Sequence, residues 1–386
     1  MLTKRIRFKN FRLKSNNYGI KKNFQKLISS NDEIFNSLSL DYKYSFSKKI
    51  IKKYKNYLSL RLIGMGGSIL GTEAIYSFLK HKIKKKIHFV NNLKSEIDKY
   101  NKKKFLNIVV SKSGNTLETI SNSNILIKAK DKNIFITENN NSYLNNLAQK
   151  LKAEIIQHNN FIGGRYSVLS EVGMLPIELV GLNPKKFKRL NFLINNKNFI
   201  NNLIKNVANT LSLIKKKKFS SIILNYDEKS ENLFKWYQQL LAESLGKKAK
   251  GILPVISSMP KDNHSLMQLY LDGPKKNFYT FFYVFNKKSP KINNSKILSS
   301  HRYLKFKDLD KILYSQKIAT EKIFLKKKIP FRSFEVFKRD EQTLGQLFCF
   351  FILETILLGK SLGVNPYDQP SVELIKKETK KILKKN

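Results

Sequence analysis

Residues 107–116 read Asn107-Ile108-Val109-Val110-Ser111-Lys112-Ser113-Gly114-Asn115-Thr116: an apolar run, then a turn of hydroxyls, lysine and glycine. Three successive β-branched residues with no polar alternation predict a strand buried on both faces, as in a parallel sheet. The turn opens into an amphipathic stretch, expected as a helix over Thr116–Ala129. The same order occurs earlier, where Leu62-Ile63 runs into Gly64-Met65-Gly66-Gly67-Ser68 and a helix expected over Ser68–Lys80. Strand, polar turn and helix in that sequence form the repeating unit of an α/β fold.

The pattern extends in both directions. In the first half, strands are expected at Ser59–Ile63, Ile87–Val90, Asn107–Val110, Ile134–Thr137 and Ala153–Gln157. A helix over Ser170–Val180 ends at Gly181, which lacks a Cβ and suits a C-cap. After 183–186 the scheme restarts, with strands at Ser221–Asn225, Ile252–Ile256, Phe278–Val284 and Phe334–Phe337 and helices at Ser230–Leu245 and Thr343–Ser361. The stretch from Asn286 to His301 is polar and expected as a loop. Val372, Ile375 and Ile382 stand at helical spacing and predict a terminal helix. At 386 residues the chain exceeds one ordinary core, so two α/β domains are expected. The expected division is a helical segment over 1–50, domains over 51–185 and 186–365, and a helical tail over 366–386.

Composition excludes several classes. A hydrophobic fraction of 41% is that of a globular chain rather than a disordered one. Cys349 is the single cysteine, so no intramolecular disulfide and no cysteine cluster for zinc can form. His81, His88, His158, His264 and His301 show no ligand spacing, and no metal site is expected. The net charge is +46, from 74 Lys and Arg against 28 Asp and Glu. Such a charge points to nucleic acid or an anionic membrane. Yet the lysines are spread over the whole chain in short runs such as 84–86, 215–218 and 326–328, alongside heavy use of Asn and Ile. That distribution reads as a solvated, compositionally biased surface, one that also steers anionic substrates. Residues 1–30 are basic but hold no apolar stretch of signal-peptide length. The longest apolar run, Leu347–Leu353, falls short of the ~20 residues of a membrane span. A soluble, cytoplasmic protein is expected.

Both turns have the chemistry of a phosphate cradle. Glycines let the backbone approach an anion closely, and a helix N-terminus supplies unpaired N–H groups and a favourable dipole. Gly67 and Ser68 in the first turn, and Ser111, Lys112, Ser113 and Thr116 in the second, are the candidate contacts. Ile69 stands where a dinucleotide fingerprint needs its third glycine, and no G-x-x-x-x-G-K-[ST] is present. Nucleotide binding of those types is excluded. Taken singly, either turn also fits an ordinary βα loop with a hydroxyl N-cap.

Three further residues carry acid–base or electrostatic potential. Glu243 lies near the end of the helix expected from Ser230, where a carboxylate faces the negative end of the helix dipole. That setting suits a base for a carbon-bound proton, and equally a solvated glutamate beside Lys247 and Lys248. His264, in the polar loop 260–265, is a candidate proton carrier near neutral pH. Arg165 follows Gly163-Gly164, which would let a ligand reach its guanidinium.

Five blocks in order resemble the glucose-6-phosphate isomerases: Gly64-Met65-Gly66-Gly67-Ser68-Ile69-Leu70-Gly71, Ser111-Lys112-Ser113-Gly114-Asn115-Thr116-Leu117-Glu118-Thr119, Gly163-Gly164-Arg165-Tyr166-Ser167, Glu243-Ser244-Leu245-Gly246-Lys247 and Asp368-Gln369-Pro370-Ser371-Val372-Glu373-Leu374. They span roughly Leu58 to the C-terminus. The resemblance implies two sugar-isomerase (SIS) domains, each a parallel β-sheet flanked by helices in a three-layer sandwich. It implies aldose–ketose isomerisation of glucose 6-phosphate and fructose 6-phosphate, in glycolysis and gluconeogenesis, through a cis-enediol and without a cofactor. It also implies a homodimer with His264 reaching the neighbouring subunit's site. On the matching positions, Glu243 would move the proton between C2 and C1, His264 assist ring opening and Arg165 stabilise the enediol. Ser68, Ser111, Lys112, Ser113 and Thr116 would hold the substrate and its phosphate, and Gln369 and Lys376 would contact it from the C-terminal segment. The block around His264 lacks the usual Gly-Gln-His, Pro370-Ser371 replaces Trp-Gly, and Ile375 replaces the glycine before Lys376.

Two rival readings remain at this stage. A phosphosugar isomerase for mannose 6-phosphate or an amino sugar phosphate would use the same cradle. A sugar-phosphate-sensing regulator would explain the charge, but the first ~50 residues offer no clear helix-turn-helix. Neither nucleic acid nor a membrane is expected as a partner.

Overall fold

The computed structural model describes residues 1–30, 32–93, 105–128 and 130–385. Ten strands occur in these segments: β1 (Ile6–Lys9), β2 (Ser59–Gly64), β3 (Lys86–Val90), β4 (Leu106–Val110), β5 (Lys132–Thr137), β6 (Glu154–Gln157), β7 (Ser220–Asn225), β8 (Leu253–Ser258), β9 (Asn277–Val284) and β10 (Phe331–Val336). They form two five-stranded sheets, ordered β3-β2-β4-β5-β6 and β1-β10-β9-β7-β8.

The first sheet is parallel throughout, and its order reverses between β2 and β4. Both strands read as apolar runs because both their faces are covered. Leu60, Leu62, Ile108 and Val110 point into the main core, while Ile63 and Val109 point to a second cluster with Leu144 and Ala148. The second sheet behaves alike. Ile223, Phe282 and Phe334 face the main core, and Ile222, Leu224, Tyr279 and Phe281 face a cluster with Met267, Tyr270 and Phe324. Each sheet is thus sandwiched between apolar layers.

The middle layer is shared. Helices Leu70–Phe78, Glu171–Leu179, Lys197–Lys215, Glu231–Leu245 and Glu341–Leu362 contribute to one cluster touched by both sheets. Glu341–Leu362 is, among the described residues, the one helix long and apolar enough to cross a membrane, and 94% of its apolar window is buried in this layer. The expected α/β class therefore holds, with an apolar interior common to both halves.

Two expectations need correction. The second sheet is not purely parallel, because β1 pairs antiparallel with β10, Ile6 opposite Val336 and Phe8 opposite Phe334. Residues 1–50 are accordingly not helical throughout. Ile6 and Phe8 enter the core while Arg7 pairs with Glu335 at 3.1 Å and Lys9 with Glu321 at 3.1 Å. An amphipathic four-residue segment at a sheet edge buries its apolar face and answers two carboxylates at once. Helices follow at Tyr18–Ile28, Glu33–Leu38 and Lys48–Tyr54. Elsewhere the helix ends shift by a few residues, to Leu70–Phe78 and Leu117–Leu126, and Ala129 lies outside the described residues. The segment after Asn286 holds short turns of 3₁₀-helix, at Asn294–Lys296 and Ser299–Leu304, and an isolated bridge from Lys291 to Asp308. Val372–Lys385 is a helix with no buried residue.

Candidate functional site

The reversal of strand order between β2 and β4 is where open α/β sheets leave a crevice beyond the carboxyl ends of their strands. Both turns, the first rich in glycine and the second in hydroxyls, emerge there. Gly64 pairs with Val110 in the sheet register, so the two turns leave from adjacent strand ends. A Cβ on Gly64 would lie 3.0 Å from the Val110 carbonyl oxygen and 3.3 Å from the Ser68 Cβ, which shows how closely the turns meet.

In the second turn, the Ser111 and Thr116 hydroxyls are 2.9 Å apart. Gly114 holds φ +67°, and a Cβ on it would meet the Ser142 hydroxyl at 2.1 Å. The Ser142 hydroxyl is itself buried without a partner among the described residues. Ser113 is exposed. Lys112 donates to the Asn160 carbonyl at 2.7 Å and lies 3.5 Å from Glu138, tying this turn to the segment ahead of Arg165.

The first turn abuts that segment directly. A Cβ on Gly67 would stand 2.2 Å from the Gly164 carbonyl carbon and 2.4 Å from the Arg165 nitrogen. Both are backbone atoms that cannot swing aside. Gly67→Ala is therefore expected to cost ~1–3 kcal/mol of stability through overpacking. Since a ~1 Å displacement of a positioned group can lower turnover ~100-fold, it should also cut kcat by that order. Thermal melting together with steady-state kinetics checks both, and unchanged kcat would show that this contact does not set the site.

Arg165 is 2% exposed and uses all five of its N–H groups. Nε donates to the Ser244 hydroxyl at 2.8 Å. Nη1 donates to Glu243 Oε1 at 3.2 Å and Gln369 Oε1 at 2.7 Å. Nη2 donates to the carbonyls of Pro366 at 2.6 Å and Asp368 at 3.1 Å. One guanidinium thus gathers the end of the helix Glu231–Leu245 and the segment 366–369 ahead of the terminal helix. Glu243 keeps 22% of its side chain exposed, the open side of an otherwise enclosed group. Its other oxygen accepts from Gln239 Nε2 at 2.9 Å.

Gln239 was not singled out by sequence reasoning. Its signal is position, four residues before Glu243 and so on the same helix face. The Gln239 amide reaches across to the first turn, where a Cβ on Gly66 would meet Nε2 at 2.8 Å. Its Oε1 is buried and unpartnered among the described residues, an acceptor for an incoming hydroxyl. Contacts thus run from the second turn through Gly64 and Gly66 to Gln239 and Glu243. Glu243, Arg165, Gln369 and the two turns are brought together.

Two candidates are not. His264 is exposed, beyond the turn Lys261–Asn263 that follows β8, and makes no side-chain bond to a described residue. Gln238 docks on the Pro254 carbonyl near the start of β8, at 2.8 Å. His264 leaves from its far end, so four residues of strand, ~13 Å, lie between. Lys376 is exposed on the terminal helix and paired with Glu373 at 2.7 Å. Among the described residues no three His, Cys, Asp or Glu side chains gather to hold a metal ion.

Known proteins share this arrangement of sequence and fold. The chain is 32% identical to a glucose-6-phosphate isomerase of Methanocaldococcus jannaschii over 86% of its own length and 87% of the relative's. It is 33% identical to one of Mycoplasmopsis pulmonis, over 84% and 83%. A glucose-6-phosphate isomerase structure from Chlamydia trachomatis superposes with a TM-score of 0.71 at 19% identity, over 87% of this chain and 71% of that one, which speaks to the fold alone. The Phosphoglucose isomerase family pattern matches residues 46–259, more than half of the chain. With that match and these relatives, the chain belongs to the phosphoglucose isomerase family.

Proposed function

We propose that this protein is a glucose-6-phosphate isomerase, interconverting glucose 6-phosphate and fructose 6-phosphate. The observation that supports the reading is the run of contacts from the partly exposed Glu243 carboxylate through Gln239 to the first turn, and through Gly64 to the second, at a strand-order reversal. An acid–base group stands at one end of a cleft and an anion cradle at the other, a layout for a chain with a reactive carbon and a terminal phosphate.

The phosphate sits on Ser111, Ser113 and Thr116 at the N-terminus of the helix Leu117–Leu126, which fixes the sugar for proton transfer. Gly67 and Ser68 approach the sugar with backbone and hydroxyl. Lys112 adds positive charge at the rim. Glu243 takes the hydrogen on C2 as a proton, the C–H electron pair forms the C1–C2 double bond, and the O1 carbonyl oxygen gains a proton. The result is a cis-enediol. Loss of the O2 proton and return of the Glu243 proton to C1 give the ketose. One carboxyl serves as base and then as acid, so no cofactor enters. Arg165, with every N–H engaged, contributes its fixed charge to the developing negative oxygen rather than a free donor. Gln239 and Gln369 orient hydroxyls.

Ring opening needs protons moved between O5 and O1. We assign that to His264 of a second copy, with Lys376. His264 is exposed on its own chain and leaves the end of β8 opposite to the one where Gln238 docks, which favours action across a homodimer. The setting proposed is glycolysis and gluconeogenesis in the cytoplasm. Assays of the purified protein on glucose 6-phosphate, mannose 6-phosphate and glucosamine 6-phosphate test the substrate. Turnover of the first well above the others is expected, and preference for another would replace the assignment.

A further inference from the structure

Lysine runs that look dispersed along the sequence are gathered by the fold at one edge. Residues 215–218 close the helix Lys197–Lys215 and lead into β7, Lys275 and Lys276 lead into β9, and 326–328 close the helix Leu309–Lys326 and lead into β10. These three strands are neighbours and start nearly level, with Ser220 beside Asn277 and Phe331 beside Tyr279. Between the runs is a cavity of about 150 Å³ lined by Lys218, Lys275, Lys327 and Lys328 above Tyr279 and Ile329. None of its described lining residues is acidic.

The ammonium groups there are poorly neutralised. Lys327 pairs with the exposed Asp272 at 2.6 Å. Lys218 donates to the Lys275 carbonyl and Lys275 to the Leu271 carbonyl, neither of which carries a charge. Lys328 meets no acceptor among the described residues. Burial, then the charges of Lys275, Lys216 and Lys276, hold the Lys218 ammonium below the usual lysine range. Like charges crowded around a partly enclosed space repel unless an anion joins them.

We propose that this cavity binds the terminal phosphoryl groups of a small oligophosphate, either inorganic or borne by a nucleotide. Ammonium groups act as point charges suited to phosphate rather than as planar forks for carboxylates. A volume of about 150 Å³ equals that of about five waters at ~30 Å³ each, room for one or two phosphoryl groups. The remaining phosphates lie along the exposed lysines. The enclosure favours a chain end over the continuous backbone of RNA. Tyr279 and Ile329 belong to the sheet face opposite the one packed against the helix of Glu243, so this cavity is separate from the isomerase cleft.

Calorimetric titration of the full chain with inorganic tripolyphosphate, at physiological salt and with the sugar-phosphate cleft saturated by fructose 6-phosphate, tests the proposal. ATP, orthophosphate and single-stranded RNA are the comparison arms. One saturable equivalent is expected. Lys218→Gln with Lys328→Gln should weaken it by about tenfold or more. Lys84→Gln with Lys86→Gln, the same charge change elsewhere, should alter it less than about twofold. Isomerase turnover should be unchanged in both variants. Should the double variant melt early, Lys328→Gln alone, on an exposed turn, reads the same loss. Equal affinity for ATP and tripolyphosphate supports a site for the phosphate chain, and tighter ATP supports the nucleotide source. No saturable binding, equal losses in the two variants, or RNA displacing tripolyphosphate whichever lysines are changed would overturn it.

Discussion

Glu243→Gln should abolish most isomerisation in both directions, lowering kcat by roughly 10²–10⁴-fold, the span of a lost general base. That is ~3–5 kcal/mol of transition-state stabilisation at ~1.4 kcal/mol per tenfold. The amide is isosteric and keeps an oxygen for the Arg165 Nη1, which now lies 3.2 Å from Oε1, so the pocket retains its shape. Affinity for the sugar phosphate should survive, because the proposed phosphate contacts lie on the turns after β2 and β4 and not on this residue. A fall in kcat without a matching rise in Kd is the signature of a group that acts on the reacting carbon. Coupled assays in each direction, with substrate titration of the variant, separate the two quantities. Unchanged turnover would remove Glu243 from the chemistry. Glu243→Ala is less informative, since it frees Arg165 to move.

The largest stability effect is expected in the shared core. Arg332, Glu354 and Tyr237 are each almost wholly buried there. Arg332 donates to Glu354 Oε1 through Nη1 and to the Tyr237 hydroxyl through Nη2 at 3.2 Å. Tyr237 donates to Glu354 Oε2 at 2.9 Å, and Asn206 Nδ2 to Oε1 at 2.5 Å. Thr280 accepts from Arg332 Nε at 2.9 Å. Glu354→Ala leaves the guanidinium uncompensated in an apolar layer, at a cost of about 3–5 kcal/mol. Replacing both charges, Glu354→Leu with Arg332→Met, should cost far less, because no charge is then stranded. Thermal and urea unfolding of the single and double variants test this, and a double variant as unstable as the single would contradict it. The network also reaches the site, for Tyr237 lies two residues before Gln239 on the helix that ends in Glu243.

What the sequence revealed and what it concealed divide along the range of the interactions. Strands β2 and β4 were readable because parallel strands covered on both faces become unbroken apolar runs, as in Leu62-Ile63 and Ile108–Val110. The turns after them were readable because an anion cradle at a helix N-terminus requires glycine and hydroxyls in a short span. The strand β1 was not, since four residues with two apolar positions gain strand character only from β10, more than 300 residues away. Helix Lys197–Lys215 was hidden by composition. Its buried Phe199, Leu203 and Val207 are interleaved with Asn198, Asn201, Asn202, Asn206 and Asn209, poor helix formers. At the site, Glu243 and Arg165 were visible as residues, but the five partners of Arg165 are assembled only by the fold. The lysine runs were visible too, and their convergence was not.

Both halves of the central claim, a carboxylate at one end of a hexose and a phosphate cradle at the other, are read by a crystal structure with a six-carbon sugar phosphate bound. The account predicts the phosphate on Ser111, Ser113 and Thr116, with a Glu243 carboxylate oxygen within ~3–3.5 Å of C1 or C2. A phosphate bound elsewhere, or C1 and C2 out of reach of Glu243 in the closed complex, would contradict it.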